Sequence, residues 1–262
     1  MLDRVRQIAE EAGRKILDHY ADEIPVDYKA DDSPLTQADR AAHHLIVERL
    51  RAAFPDVPVL SEESEPGEIA DRRSWTRFWL VDPLDGTKEF IKKTGQFTVN
   101  IALIEDGEAV QGVVHVPAQK VTYFAERGAG AFRQNGDGEP QRIEVRQAAP
   151  KELTVVASRD HAGPEVAAIL AKMADAGVEV ESASMGSSLK FCLVAEGAAD
   201  LYPRTVPTME WDTAAAQCIV ETAGGQVTTL DGIRLSYNKE DLRNPSIMTA
   251  GDPSLDWNQY LG

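Results

Sequence analysis

Residues 79–87, Trp-Leu-Val-Asp-Pro-Leu-Asp-Gly-Thr, constrain this chain more than any other stretch. Phe78 to Val81 is an unbroken apolar run of strand length that ends abruptly at Asp82. A buried strand of this kind delivers two carboxylates, Asp82 and Asp85, onto a turn. Pro83 stiffens that turn, and Gly86 permits positive φ or close backbone approach. Hard cations such as Mg²⁺ take carboxylates, carbonyls and water as ligands. Asp82 could bridge two such ions while Asp85 takes one, and the Leu84 carbonyl between them could complete a shell. The plain alternative is an Asp-Pro turn with Asp85 as a helix cap.

Further acids weigh on that choice. Glu62-Glu63 follow a short apolar strand at Val59-Leu60, and neighbours at a strand end point to opposite faces, so one of the pair should face the site. Asp212 opens a helix of small residues (Trp-Asp-Thr-Ala-Ala-Ala), where the default role is an N-cap. A helix-terminal carboxylate can still ligate a metal. Thr36-Gln37-Ala38-Asp39 fits a capping box, balanced against a functional role for Asp39.

The net charge of -16 argues against long nucleic acids, which select basic faces. An acidic protein that handles an anionic substrate needs local positive charge, and bound divalent cations are one source. Two cysteines, Cys192 and Cys218, stand in no metal-binding spacing and are expected as buried free thiols. The amphipathic N-terminus lacks the apolar core of a signal peptide, and no run approaches the ~18 residues of a membrane span. The expectation is a cytoplasmic protein, compatible with peripheral association at the inner membrane.

Val5, Ile8, Ala12 and Ile16 recur at helical spacing, and a second helix is expected from Thr36 to Phe54 after a polar loop, Lys29 to Pro34. Phe97 to Ile104 and Ala109 to Val116 flank Glu105-Asp106-Gly107, a hairpin signal. Strands at Lys120–Ala125 and Gly130–Phe132 continue an antiparallel meander. The texture then becomes alternating: strand Thr154–Ser158, a helix over Val166 to Met173, strand Val178–Glu181, helix Ser188–Glu196, strand Asp200–Tyr202 and helix Thr213–Ala223. The chain therefore divides into residues 1–150, an α+β half with the acidic loops, and residues 151–262, an α/β half that completes the pocket. Surface or satisfied roles are expected for His19, His43, His44, His115 and His161.

The set Ser61-Glu62-Glu63, Asp82-Pro-Leu-Asp-Gly-Thr87 and Trp211-Asp212-Thr-Ala-Ala215 resembles the inositol monophosphatase superfamily in order and spacing. Three further stretches are similar to its 3'(2'),5'-bisphosphate nucleotidase branch of the bacterial CysQ type. They are Asp32-Ser33-Pro34-Leu35-Thr36-Gln37-Ala38-Asp39, the DGTKEFI run from Asp85 to Ile91, and GSSLKFCLVAEG from Gly186 to Gly197, followed by Tyr202-Pro203-Arg204. The resemblance implies an α/β, layered αβαβα sugar-phosphatase fold. It implies one Mg²⁺ held by Glu63, Asp82 and the Leu84 carbonyl, a second held by Asp82, Asp85 and Asp212, and room for a third near Glu63. It makes Asp39 and Thr87 the pair that orients and deprotonates the attacking water, and Gly86 and Thr87 amides the contacts of the scissile phosphate.

The implied reaction is hydrolysis of adenosine 3',5'-bisphosphate to AMP and phosphate, clearing a by-product of sulfate assimilation, with sensitivity to lithium. The second phosphate of that substrate needs its own donors. Ser187, Ser188 and Lys190 open a helix, where N–H groups favour an anion, and Arg204 could fork onto phosphate oxygens. Ordinary surface charge is the alternative for Lys190 and Arg204. An inositol or sugar phosphatase on the same metal ligands is the nearest rival reading. A non-catalytic metal- or nucleotide-binding protein is another, disfavoured because Asp39 and Thr87 are both present.

Overall fold

The computed structural model describes residues 1–20, 24–28, 34–158 and 163–261. Residues 29–33 of the polar loop, Asp32 among them, and His161 lie outside the described residues. The chain opens with α1 (Leu2–Leu17), a two-strand pair β1 (Val26–Tyr28) and β2 (Pro34–Thr36), and α2 (Gln37–Ala53). A seven-stranded sheet follows, formed by β3 (Val59–Ser61), β4 (Arg77–Asp85), β5 (Thr98–Glu105), β6 (Glu108–Val116), β7 (Val121–Glu126), β8 (Gly130–Asn135) and β9 (Gln141–Ile143), in chain order across the sheet. The short α3 (Thr87–Ile91) leaves the end of β4.

The rest of the chain contributes β10 (Glu152–Ser158), α4 (Pro164–Asp175), β11 (Glu179–Met185), α5 (Leu189–Ala195), β12 (Leu201–Arg204), β13 (Thr208–Met209), α6 (Glu210–Thr222), β14 (Gln226–Thr229), β15 (Arg243–Asn244), β16 (Ile247–Ala250) and α7 (Asn258–Leu261). Five of these strands form a second sheet in the order β11-β10-β12-β16-β14, while β13 pairs only with β15.

Alternation along the strands explains the layering. In β4, Trp79 and Val81 pack under α1 and α2 with Ile8, Ile46 and Leu50, whereas Phe78 and Leu80 face the other way. That second face meets α5 and α6 through Ile104, Val114, Phe191, Ala215 and Ile219, and Val156, Tyr202 and Ile247 of the second sheet close the same core. Beyond that sheet, Leu153, Val155 and Met248 pack with Ile169, Met173, Trp257 and Tyr260 of the α4 and α7 side. The result is helix, sheet, helix, sheet, helix, the αβαβα arrangement expected from the resemblance. Strand membership changes sheets between Ile143 and Glu152, yet α5 and α6 from the later half cover the first sheet.

The contact of α6 with the first sheet is close. A Cβ on Gly112 of β6 would sit 2.2 Å from the Ala215 carbonyl oxygen, so only glycine beneath a run of alanines lets the helix approach this far. The hairpin at Glu105–Glu108 forms as its sequence indicates, with Asp106 at φ 49° and Gly107 at φ 80°.

Among the expected boundaries that move, two bear on the site. β4 does not stop at Asp82 but continues to Asp85, because Asp82 pairs with Asn100 and Asp85 with Thr98, three residues opposite two. The extra residue is a β-bulge, which accommodates Pro83 within a strand. Helix α6 begins at Glu210 rather than Thr213, so Asp212 lies inside its first turn and is not the N-cap. Both cysteines are buried free thiols. Among the described residues, no helix is long and apolar enough to cross a membrane.

Candidate active site

The bulge in β4 turns Asp82 and Asp85 towards the start of α6 and the β11–α5 connection. Asp82 is buried, and its Oδ1 accepts the Leu84 N–H at 3.0 Å, which fixes the bulge. Asp85 Oδ2 accepts the Ser188 N–H at 2.5 Å, with Asn100 Nδ2 at 3.4 Å and Thr98 Oγ1 at 3.5 Å. Asp212 Oδ2 accepts the Met209 N–H at 2.8 Å, a reciprocal cap from within the helix. Capping and site roles therefore coexist in Asp212.

Two of these carboxyls, Asp82 and Asp212, are held well above the usual aspartate range. Burial pushes the Asp82 carboxyl well above the usual range, and the nearby Glu62, Asp85 and Asp212 carboxylates push it further. Burial does the same to Asp212, followed by Asp85 and Glu62. Several carboxylates sharing one site disfavour ionisation unless a cation is present.

Glu62, and not Glu63, is the acid on this side. β3 runs parallel to β4 with Ser61 opposite Val81, and the Glu62 N–H donates to the Val81 carbonyl at 3.0 Å. Continuing that register sets Glu62 opposite Asp82, on the same sheet face. Glu62 accordingly lines the pocket with Asp85 and Asp212, while Glu63 lines a separate cleft with His43, His44, Arg51 and Glu68. The structure therefore places Glu63, from which a metal role was expected, in a different cleft from the other acids. The strand parity was visible in the sequence, but its phase required the β3–β4 register.

Asp39 serves two partners at once. Its Oδ2 accepts the Thr36 N–H at 2.7 Å and the Thr36 hydroxyl at 2.6 Å, and its Oδ1 accepts the Thr87 hydroxyl at 3.2 Å. The capping box and the contact with Thr87 use different oxygens of one carboxylate. Burial raises the Asp39 pKa, the Thr36 hydrogen bonds pull it back, and Glu63 lifts it again. Thr87 Oγ1 also lies 3.4 Å from the Leu84 carbonyl. Gly86, at φ 90°, makes the left-handed turn from β4 into α3.

Opposite the acids, Lys190 is buried, which excludes an ordinary surface charge. Its Nζ donates to the Ser187 carbonyl at 2.6 Å and to the Met185 carbonyl at 3.4 Å, and it lies 5.3 Å from the Tyr202 ring centre. Arg204 lines the same pocket, its Nε anchored on the Val206 carbonyl at 3.0 Å. Ser187 holds the turn at φ 52°. Ser188 departs from its expected part: its N–H goes to Asp85, and its hydroxyl bonds Asn100 Oδ1 and Thr98 Oγ1, both at 2.8 Å. It positions Asp85.

Two of the histidines behave as satisfied side chains. His43 Nδ1 meets Ser61 Oγ and His115 Nδ1 meets Thr122 Oγ1, each at 2.9 Å.

Acids and cations thus share one cavity of about 360 Å³. Residues 1–256 match the model of the inositol monophosphatase family. The chain belongs to that family. Among curated relatives of this inositol monophosphatase family member, the 3'(2'),5'-bisphosphate nucleotidase CysQ of Salmonella typhimurium is 50% identical over 249 residues, covering 94% of this chain and 97% of the relative. The enzyme of the same name from Escherichia coli K12 is 49% identical over 254 residues, covering 95% and 99%. Of solved structures, CysQ from Bacteroides thetaiotaomicron aligns with a TM-score of 0.83 at 45% identity, covering 95% of this chain and 96% of that one. An IMPase from Thermotoga maritima aligns at 0.77 and 28% identity, covering 95% and 91%.

Enzymes of the inositol monophosphatase family generally use Mg²⁺. The donor set here suits such an ion: Glu62, Asp82, Asp85 and Asp212 are hard oxygen ligands, and their mutual repulsion calls for a cation. As placed, no three His, Cys, Asp or Glu side chains among the described residues are gathered closely enough to hold an ion. Each of the three aspartates instead keeps an oxygen on a backbone N–H.

Proposed function

We propose that the chain is a Mg²⁺-dependent 3'(2'),5'-bisphosphate nucleotidase that hydrolyses adenosine 3',5'-bisphosphate to AMP and phosphate, acting in the cytoplasm. The observation that carries this reading is the buried Lys190, with Arg204, in the same cavity as the carboxylates. A substrate with two phosphates needs cationic donors away from the reaction, and an inositol monophosphate does not. The names of relatives at 49–50% identity point the same way.

Glu62, Asp82, Asp85, Asp212 and the Leu84 carbonyl would hold Mg²⁺. When bound, Mg²⁺ neutralises phosphate charge, lowers the pKa of water and steadies the leaving oxygen. The reading takes two ions; a third loses its expected ligand, since Glu63 lines the other cleft.

The chain's own residues supply the proton path. The Thr87 hydroxyl donates to Asp39 Oδ1, which turns its lone pairs towards the pocket to accept a hydrogen from the attacking water. Asp39 takes the proton through Thr87 as the water oxygen attacks phosphorus and the bond to the ribose oxygen breaks. Its raised pKa makes it a better base than an ordinary aspartate. Gly86 and Thr87 amides bind the scissile phosphate, and Lys190 and Arg204 bind the distal one.

The test is phosphate release from adenosine 3',5'-bisphosphate and inositol 1-phosphate, each with Mg²⁺ and with EDTA. Fast Mg²⁺-dependent release from the nucleotide is expected. A preference for inositol phosphate would remove the role given to Lys190 and Arg204.

A further inference from the structure

Glu89 lines the same cavity and has no part in the steps above. It sits on α3, two residues after Thr87, and its carboxylate is wedged between two glycines. A Cβ on Gly86 would lie 3.2 Å from Glu89 Oε2, and one on Gly186 would lie 2.4 Å from its Cγ. The hydrogen bonds of Glu89 run through its carbonyl, to the Thr94 N–H at 3.1 Å and hydroxyl at 3.4 Å. Among the described residues its carboxylate has no hydrogen-bond partner. That carboxylate and the Lys190 ammonium feel each other's charge but do not close into an ion pair within 4.0 Å. Lys190 has donated to two carbonyls, and its third N–H is the one assigned to the distal phosphate.

A gap beside an unpartnered carboxylate suits a group that donates a hydrogen to it. A phosphate there would be repelled by the carboxylate, whereas a hydroxyl donates to it. The gap adjoins the Gly86 turn assigned to the scissile phosphate, within reach of the neighbouring carbon of a sugar. We infer that Glu89 reads the free hydroxyl vicinal to the phosphate being removed, the ribose 2'-OH when that phosphate is on O3'. The inference rests on the nucleotidase reading above and makes Glu89 a specificity-determining residue.

The experiment compares adenosine 3',5'-bisphosphate with 2'-deoxyadenosine 3',5'-bisphosphate, using the Mg²⁺-loaded wild type, Glu89→Gln and Glu89→Ala. A hydrogen bond to a charged acceptor predicts that the wild type prefers the ribonucleotide by roughly 10- to 100-fold in kcat/KM. Glu89→Ala should lose that preference by slowing on the ribonucleotide while keeping the wild-type rate on the deoxynucleotide. Glu89→Gln keeps the shape and a neutral acceptor, so it should retain part of the preference, and it serves if the alanine variant does not fold. Equal wild-type rates on the two nucleotides would overturn the inference and leave the nucleotidase standing. A variant that slows on both alike would reduce Glu89 to a prop for the Gly186 turn. No wild-type turnover of either nucleotide would sink the nucleotidase reading, and this inference with it.

Discussion

Asp82 and Lys190 are both buried charged residues near one cavity, and they are stabilised in opposite ways. Asp82 has acids for neighbours: Glu62, Asp85 and Asp212 all push its pKa upward. Lys190 has carbonyls, an aromatic face and acids of opposite sign around it. The acidic end is incomplete without a cation from outside, while the basic end is held ready by the protein itself. On the proposed function, metal and turnover would be gained or lost together at the first, and affinity and choice of substrate would be set at the second.

Breaking the acidic end should have the largest effect. Asp82→Asn is expected to lower Mg²⁺-dependent phosphate release to the level seen with EDTA, because the carboxylate between the other acids is gone. The same change removes a buried charge from a like-charged cluster, so in EDTA the variant should melt no lower than the wild type. A variant that melts lower and recovers activity with excess Mg²⁺ would show that Asp82 holds the bulge and not the metal.

Asp39→Asn comes next. Its amide oxygen can still accept from Thr36 while an N–H replaces the acceptor that faced Thr87, and it cannot take a proton, so kcat should fall by about 10²- to 10⁴-fold with little change in KM. A rise in KM at constant kcat would instead place Asp39 in binding.

The contrast between the ends also marks what the sequence could disclose. Asp82 and Asp85 were legible because an apolar strand followed by Pro and Gly leaves few local structures, and the hairpin at Asp106-Gly107 was legible for a similar reason. Both depend on contacts near in sequence. Strands β9 and β13 to β16 were not read: they run to four residues at most and gain their place from partners far along the chain, such as Asn244 opposite Thr208. The choice between Glu62 and Glu63 depended on a parallel register with β4 that no local pattern encodes. Ser188 was read as an anion donor from its place at a helix start, but its N–H meets Asp85, 103 residues away. Lys190 was the reverse case, a lysine whose burial only tertiary packing reveals.

Lys190→Met sharpens the basic end by keeping bulk and removing charge. KM for adenosine 3',5'-bisphosphate should rise roughly 10- to 100-fold, as expected for a lost hydrogen bond between charged groups, with kcat within a few-fold of wild type. Adenosine 3'-monophosphate, which lacks the distal phosphate, should hardly respond. An equal loss on both nucleotides would mean that Lys190 supports the Ser187 turn and does not bind the second phosphate.

The smallest effect is a pH shift with a definite sign. Burial, with Arg204 adding to it, lowers the Lys190 pKa to about 8 against the upward pull of Asp85, Glu89 and Asp212. The free enzyme therefore loses this positive charge as pH rises through about 8, and kcat/KM for the bisphosphate should fall up to about tenfold between about pH 7 and 9. Mg²⁺ on Asp85 and Asp212 cancels part of their pull, so the fall should begin at lower pH in the loaded enzyme. Folding stability moves the other way. Between about 8 and the ordinary lysine value of 10.5 the unfolded chain binds more protons than the folded one, so this lysine's contribution to stability rises with pH across that window. Opposite slopes for affinity and stability, both abolished in Lys190→Met, would tie them to one buried ammonium. A fall in kcat/KM of the same size for adenosine 3'-monophosphate would show that the titrating group does not act on the second phosphate.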